Sequence, residues 1–79
     1  MNYTFNDESP IFQQLAKALE DDIFLCTYKE GSAIPSTTEL SVALHINPAT
    51  VLKAMNLLLD EGLIEKKRGI GMFVKEGAV

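Results

Sequence analysis

Two helix-start signals only eleven positions apart constrain this chain more than any other feature of its sequence. Ser36-Thr37-Thr38-Glu39 has the pattern of a capping box, in which Ser36 and Glu39 each satisfy an exposed amide at the start of a helix. Asn47-Pro48 repeats the signal as a polar cap followed by a proline in the first helical position. Between them fits a short helix, residues 37–44, with Leu40, Ala43 and Leu44 on one face and His45-Ile46 as a tight connection. The helix launched by Asn47 runs over residues 48–61, and Gly62 is placed to stop it in a left-handed conformation.

The flanking segments complete the pattern. Residues 1–8 form an N-terminal arm, with Tyr3 and Phe5 available to pin it to a core. Ser9-Pro10 reads as a cap and first helical position, and Ile11, Leu15, Leu19 and Ile23 recur every four residues, so a first helix is predicted over residues 10–26. Glu30-Gly31-Ser32 breaks it, and Ala33-Ile34 suits a very short strand before Pro35. After Gly62, residues 63–67 and 72–74 read as strands around the turn Arg68-Gly69-Ile70-Gly71, a hairpin over 63–74. Helix, helix, tight turn, helix, hairpin is an α+β arrangement: a small winged helix-turn-helix of three helices and a C-terminal β-hairpin wing. With 79 residues there is room for one core, so 1–79 is expected to be a single domain.

Several function classes are set aside by what the residues lack. One cysteine, Cys26, rules out an internal disulfide framework and a cysteine-based zinc site, and its neighbours Ile23, Phe24 and Leu25 suggest a buried structural thiol. His45 has no second ligand at metal spacing and reads as a turn residue, while Met55 and Met72 read as core fillers. No metal or cofactor is expected. There is no Ser-His-Asp or Cys-His set, no glycine-rich phosphate loop after a strand, and no paired carboxylates over a pocket, so no enzymatic activity is expected. Without a membrane-length apolar run or a signal segment, the expected place is the cytoplasm, away from membranes.

Charge needs to be read by halves. The net charge of -4 divides into -5 over residues 1–40 (two Lys against seven acids) and +1 over residues 41–79 (four Lys and one Arg against four acids). An anionic partner should therefore meet the second half. At about 100° per residue, Val51, Ala54, Met55 and Leu58 share one arc of the third helix. Ala49, Lys53, Asn56 and Asp60 lie opposite, with Thr50 at the edge. The face formed by Ala49, Thr50 and Lys53 is small, methyl-bearing and cationic, and it suits a DNA groove. It also suits the solvated side of a core helix. The hairpin shifts the balance, because Lys66, Lys67 and Arg68 stand beside Gly69 and Gly71 on a protruding tip that can reach phosphates or a minor groove.

In order and spacing, four segments resemble the N-terminal domain of GntR-type transcription regulators: residues 35–40, 47–51, 60–64 and 68–74. The start Asn47-Pro48-Ala49-Thr50-Val51 looks like the YtrA branch of that family, and Pro10-Ile11-Phe12-Gln13-Gln14 resembles the family's first helix. The resemblance covers about residues 9–75. It implies a sequence-specific DNA-binding regulator, usually a repressor, with double-stranded DNA as partner and a homodimer as the full-length assembly. Position by position, it selects Ser36 and Thr38 on the second helix, and Asn47, Ala49, Thr50 and Lys53 on the third. On the wing it selects Arg68, Gly69 and Gly71, beside which Lys67 supplies a further cation. Thr38 departs from the Arg that most relatives carry there, and Pro48 takes a place where many other branches also have Arg, so the electrostatic grip is smaller. Ser36 and Asn47 are also explained by capping, and Gly69 and Gly71 by the turn. A winged helix that docks another protein through its acidic first half is the alternative function. The chain stops just after the wing, which fits either a fragment or a minimal protein, and no effector site is legible in it.

Overall fold

The computed structural model describes residues 3–77. Among these lie α1 (Ile11–Phe24), α2 (Thr37–Leu44), α3 (Pro48–Asp60), β1 (Ile64–Lys67) and β2 (Gly71–Val74). The two strands form an antiparallel hairpin in which Ile64 pairs with Val74, Glu65 with Phe73, Lys66 with Met72 and Lys67 with Gly71. This is the expected winged helix-turn-helix. Residues 1–2 of the N-terminal arm and the last two residues of the chain lie outside the described residues.

Both internal helix starts form as their residues dictate. Ser36 Oγ accepts from the Glu39 amide at 3.1 Å, and the Ser36 amide donates to Glu39 Oε1 at 3.2 Å. Asn47 Oδ1 accepts from the Ala49 amide at 2.8 Å. The first helix begins differently from expectation. Pro10 is its N-cap, in an extended conformation (φ -56°, ψ 140°), and Ser9 gives no side-chain cap. Gln14 takes over instead: its Nε2 donates to the carbonyls of Ser9 and Asn6, and its Oε1 accepts from the Asn6 amide, fastening the arm to α1.

Each helix ends in the same way, with a left-handed residue just past its last turn: Cys26 (φ 61°), His45 (φ 55°) and Gly62 (φ 74°). The next amide in each case reaches back five residues, from Thr27 to Asp22 (2.8 Å), Ile46 to Ser41 (3.1 Å) and Leu63 to Leu58 (3.1 Å). This is the Schellman arrangement, which gives partners to carbonyls the helix leaves free. It also corrects the first helix, which stops at Phe24 rather than Cys26. The turn swings the segment away from the core, leaving Phe24 and Leu25 exposed and Cys26 an exposed thiol, not a buried one.

The core is continuous. Leu15, Ala16, Leu19 and Ile23 of α1 meet Val51, Ala54, Met55 and Leu58 of α3, with Leu40, Ile34, Leu63, Ile64 and Val74 closing it. On α2 only Leu40 is buried, Leu44 is half-buried and Ala43 is exposed, so that helix is held by one leucine and its turn. Ser41 Oγ reinforces the turn by donating to the Ile46 carbonyl at 2.6 Å. Segment 31–34 runs beside the free edge of β2: Ala33 bridges Phe73, Ile34 donates to the Met72 carbonyl and Val74 to that of Ser32. That pairing fixes the root of the wing beside the start of α2. Tyr3 and Phe5 do pack against the core, and the Tyr3 hydroxyl donates to Asp22 Oδ2.

A candidate nucleic-acid interface

The start of α2, one flank of α3 and the wing enclose an open cleft of about 400 Å3. Ser36, Thr38, Leu52, Lys66, Ile70 and Gly71 are among its walls. Strand alternation explains the wing's share. Lys66 and Met72 stand on the same side of the hairpin as the buried Ile64 and Val74, so they continue the core face outward to the cleft. Lys67 stands on the other side with Phe73, and its Nζ lies 4.5 Å from the centroid of that ring. The tip is closed by a bond from the Ile70 amide to the Lys67 carbonyl at 2.9 Å, with Gly69 at φ 78° and Gly71 at φ 146°. Arg68 is exposed at this tip.

The expected site residues divide into groups. Ser36, Thr38 and Gly71 share the cleft. Asn47 and Thr50 line a separate hollow of about 350 Å3, walled by Phe5 and Ile11 as well as by His45 and Ile46 of the α2–α3 turn. Thr50 is half-buried there, while Ala49 is exposed on the surface of α3. Lys53 belongs to neither: its ammonium lies over the Phe12 ring of α1, 4.2 Å from the centroid. Lys67, Arg68 and Gly69 occupy the outer face and tip of the wing.

Beyond the expected site positions, the cleft walls also include Leu52, Ile70 and Lys66, the last read from the sequence only as one of the wing-tip cations. Leu52 carried a signal, being an apolar residue roughly 110° from the centre of the buried arc of α3. Lys66 carried one too, since alternation from Ile64 turns it toward α2. Ile70 is 73% exposed at the tip, and only the hairpin register brings it over the cleft.

The two helix caps keep hydrogen-bonding capacity. Ser36 Oγ accepts an amide bond and retains its own O–H as a donor, and Asn47 uses its Oδ1 while its NH2 group stays free. Glu39 lines the cleft while closing the α2 capping box, and a cluster of acids lies elsewhere. Glu61, just past the far end of α3, has its carboxyl held above the usual carboxylate range by a hydrogen bond with Glu20 of α1. Lys17 pairs with Glu20 and Asp21 on the exposed side of α1. Glu61 therefore stands a helix length, about 20 Å, from the capped start of α3.

Among the described residues no group of three or more His, Cys, Asp or Glu is arranged to hold a metal ion, and no helix is long and apolar enough to cross a membrane.

Comparison with known proteins places this geometry. The profile of the family described as "Bacterial regulatory proteins, gntR family" matches residues 11–74. The HTH-type transcriptional repressor YtrA of Bacillus subtilis is 36% identical over 70 residues, covering 89% of this chain and 54% of the repressor. A GntR family transcriptional regulator from Listeria monocytogenes superposes with a TM-score of 0.87 at 32% identity, over 91% of this chain and 63% of its own. YtrA from Sulfolobus acidocaldarius, a GntR-family transcription factor, gives 0.86 at 33% identity, over 95% and 79%. The chain spans about half the length of the Bacillus repressor. The family match runs from the first residue of α1 to the last of β2, and the chain belongs to the GntR family of bacterial regulatory proteins.

Proposed function

We propose that this chain is the duplex-DNA-binding part of a cytoplasmic transcription regulator that acts as a homodimeric repressor. The capped end of α3 enters the major groove and the wing lies on the backbone or in the minor groove. The observation that carries this reading is the convergence of the α2 start, the α3 flank and the wing around one cleft. Ser36 and Asn47 cap their helices and each retain a donor for a phosphate oxygen. Thr38, Ala49, Thr50 and Lys53 complete the helical surface, and Lys67, Arg68, Gly69 and Gly71 form the wing contact. The repressor role of the Bacillus relative supports the regulatory reading. A dimer reads two half-sites about one helical turn apart, so a second copy adds both affinity and register.

The test is an anisotropy titration of the full chain on labelled random-sequence duplex at stepped salt concentrations. Log affinity should fall linearly with log salt, and Lys67→Ala and Arg68→Ala should each flatten the slope by about one unit. A slope near zero, unchanged by the wing variants, contradicts DNA binding and turns attention to the acidic first half as a protein-docking surface.

A further inference from the structure

Leu52 is the α3 residue on the cleft wall, and its exposed neighbours on that face, Pro48 and Ala49, carry no hydrogen-bonding side chain. Pro48 and Leu52 lie four residues apart, on one stripe of the helix, with Ala49 beside them, and all three are exposed. Leu52 is 49% exposed, outside the buried arc of Val51, Ala54, Met55 and Leu58. It borders the cleft with Thr38, whose side chain also carries a methyl group. The nearby groups of α3 able to hydrogen-bond a base edge lie off the cleft wall. Asn47 Oδ1 holds the Ala49 amide, Thr50 is half-buried in the hollow beside Phe5, and Lys53 lies over Phe12.

We propose that this protein reads its DNA site through thymine 5-methyl groups, with Leu52 as the principal specificity-determining side chain and Ala49 beside it. The inference rests on the DNA-binding reading above and deepens it. In the major groove each base pair presents a distinct set of donors and acceptors, and thymine alone adds a methyl group. An aliphatic side chain satisfies no donor or acceptor, so a polar base edge placed against it loses water without compensation. A thymine methyl against the same side chain gains apolar burial instead. Leu52 thus favours thymine attractively and disfavours the other edges by desolvation. Lys66, on the wall of the same cleft, supplies a cation for the phosphate backbone that flanks this contact.

The experiment first selects the preferred site by exposing the full chain to a randomised duplex pool. Each thymine of that site is then replaced singly by deoxyuridine, which removes only the 5-methyl group. At one or more thymines per half-site the wild-type chain should lose about fourfold in affinity, the equivalent of one buried methyl-sized group, ~0.8 kcal/mol. Leu52→Ala should bind the thymine site more weakly than wild type and be indifferent to the same deoxyuridine. The deoxyuridine series uses unaltered protein, so a folding defect in the variant cannot imitate the result. A selected site whose thymines all tolerate deoxyuridine overturns the inference and leaves DNA binding standing. So does a methyl effect that persists undiminished in Leu52→Ala. If the chain selects no sequence at all, the DNA-reading function falls, and this inference with it.

Discussion

The Lys53 ammonium stands 4.2 Å from the centroid of the Phe12 ring, which ties the single cation of α3 to α1. A cation over an aromatic face at an exposed site contributes about 0.5–1 kcal/mol. A double-mutant cycle combining Lys53→Ala with Phe12→Leu should return a coupling of that size in denaturant unfolding. On DNA, Lys53→Ala should weaken binding to all sequences alike and lower the salt slope by about one unit, as a phosphate contact does. A coupling near zero, or a changed sequence preference in the single variant, shows that Lys53 is free to read bases.

Two of the left-handed helix ends, Gly62 and Cys26, give opposed stability effects. At Gly62 an added Cβ meets nothing within 4 Å, so the cost of a side chain there is that of the φ 74° backbone. Gly62→Ala should destabilise by about 1–2 kcal/mol, and Gly62→Val by more because of its branched Cβ. At Cys26 the same conformation is already borne by a non-glycine residue, so Cys26→Gly should stabilise by about 1 kcal/mol. Denaturant melts check all three, and coincident curves for Gly62→Val and the parent contradict the assigned boundary between α3 and the wing.

The fold was legible because its decisive signals are local. The Ser36–Glu39 box, the Asn47 cap and the four-residue spacing of Leu15, Leu19 and Ile23 act within a turn or two of themselves, and each does in three dimensions what its spacing demands. Two misreadings arose at helix ends, where a neighbouring residue took the expected role, and two where a distant element decides. Ile23, Phe24 and Leu25 made Cys26 look buried, but the Thr27–Asp22 bond turns the chain before it reaches the core. Ser9 looked like a cap, but Pro10 takes that place and Gln14 binds the Ser9 carbonyl. Lys53 looked free because periodicity on α3 says nothing of Phe12 on α1. The cleft role of Leu52 depends on the wing and the start of α2, both far from it in sequence.

The arm contributes a pH dependence at the alkaline end. Burial first, then the hydrogen bond to Asp22 and the neighbouring Tyr28, raises the Tyr3 hydroxyl well above the ordinary tyrosine range. A raised folded value means that the unfolded chain loses the proton first. The stabilisation is therefore complete below about pH 10 and declines as pH rises beyond it toward the folded value. Denaturant unfolding between pH 8 and pH 11 should show this fall in the parent and a shallower one in Tyr3→Phe. Parallel curves contradict the Tyr3–Asp22 contact as the anchor of the arm.

The face that meets DNA can be observed residue by residue by titrating 15N-labelled chain with a duplex carrying its selected site and following amide shifts. The predicted perturbations cluster at Ser36–Thr38, Asn47–Lys53 and Lys66–Gly71. Glu20, Asp21 and the Phe24–Thr27 turn should stay in place. Shifts confined to α1, with the cleft and wing unmoved, contradict the account and assign the binding surface to the acidic half of the chain.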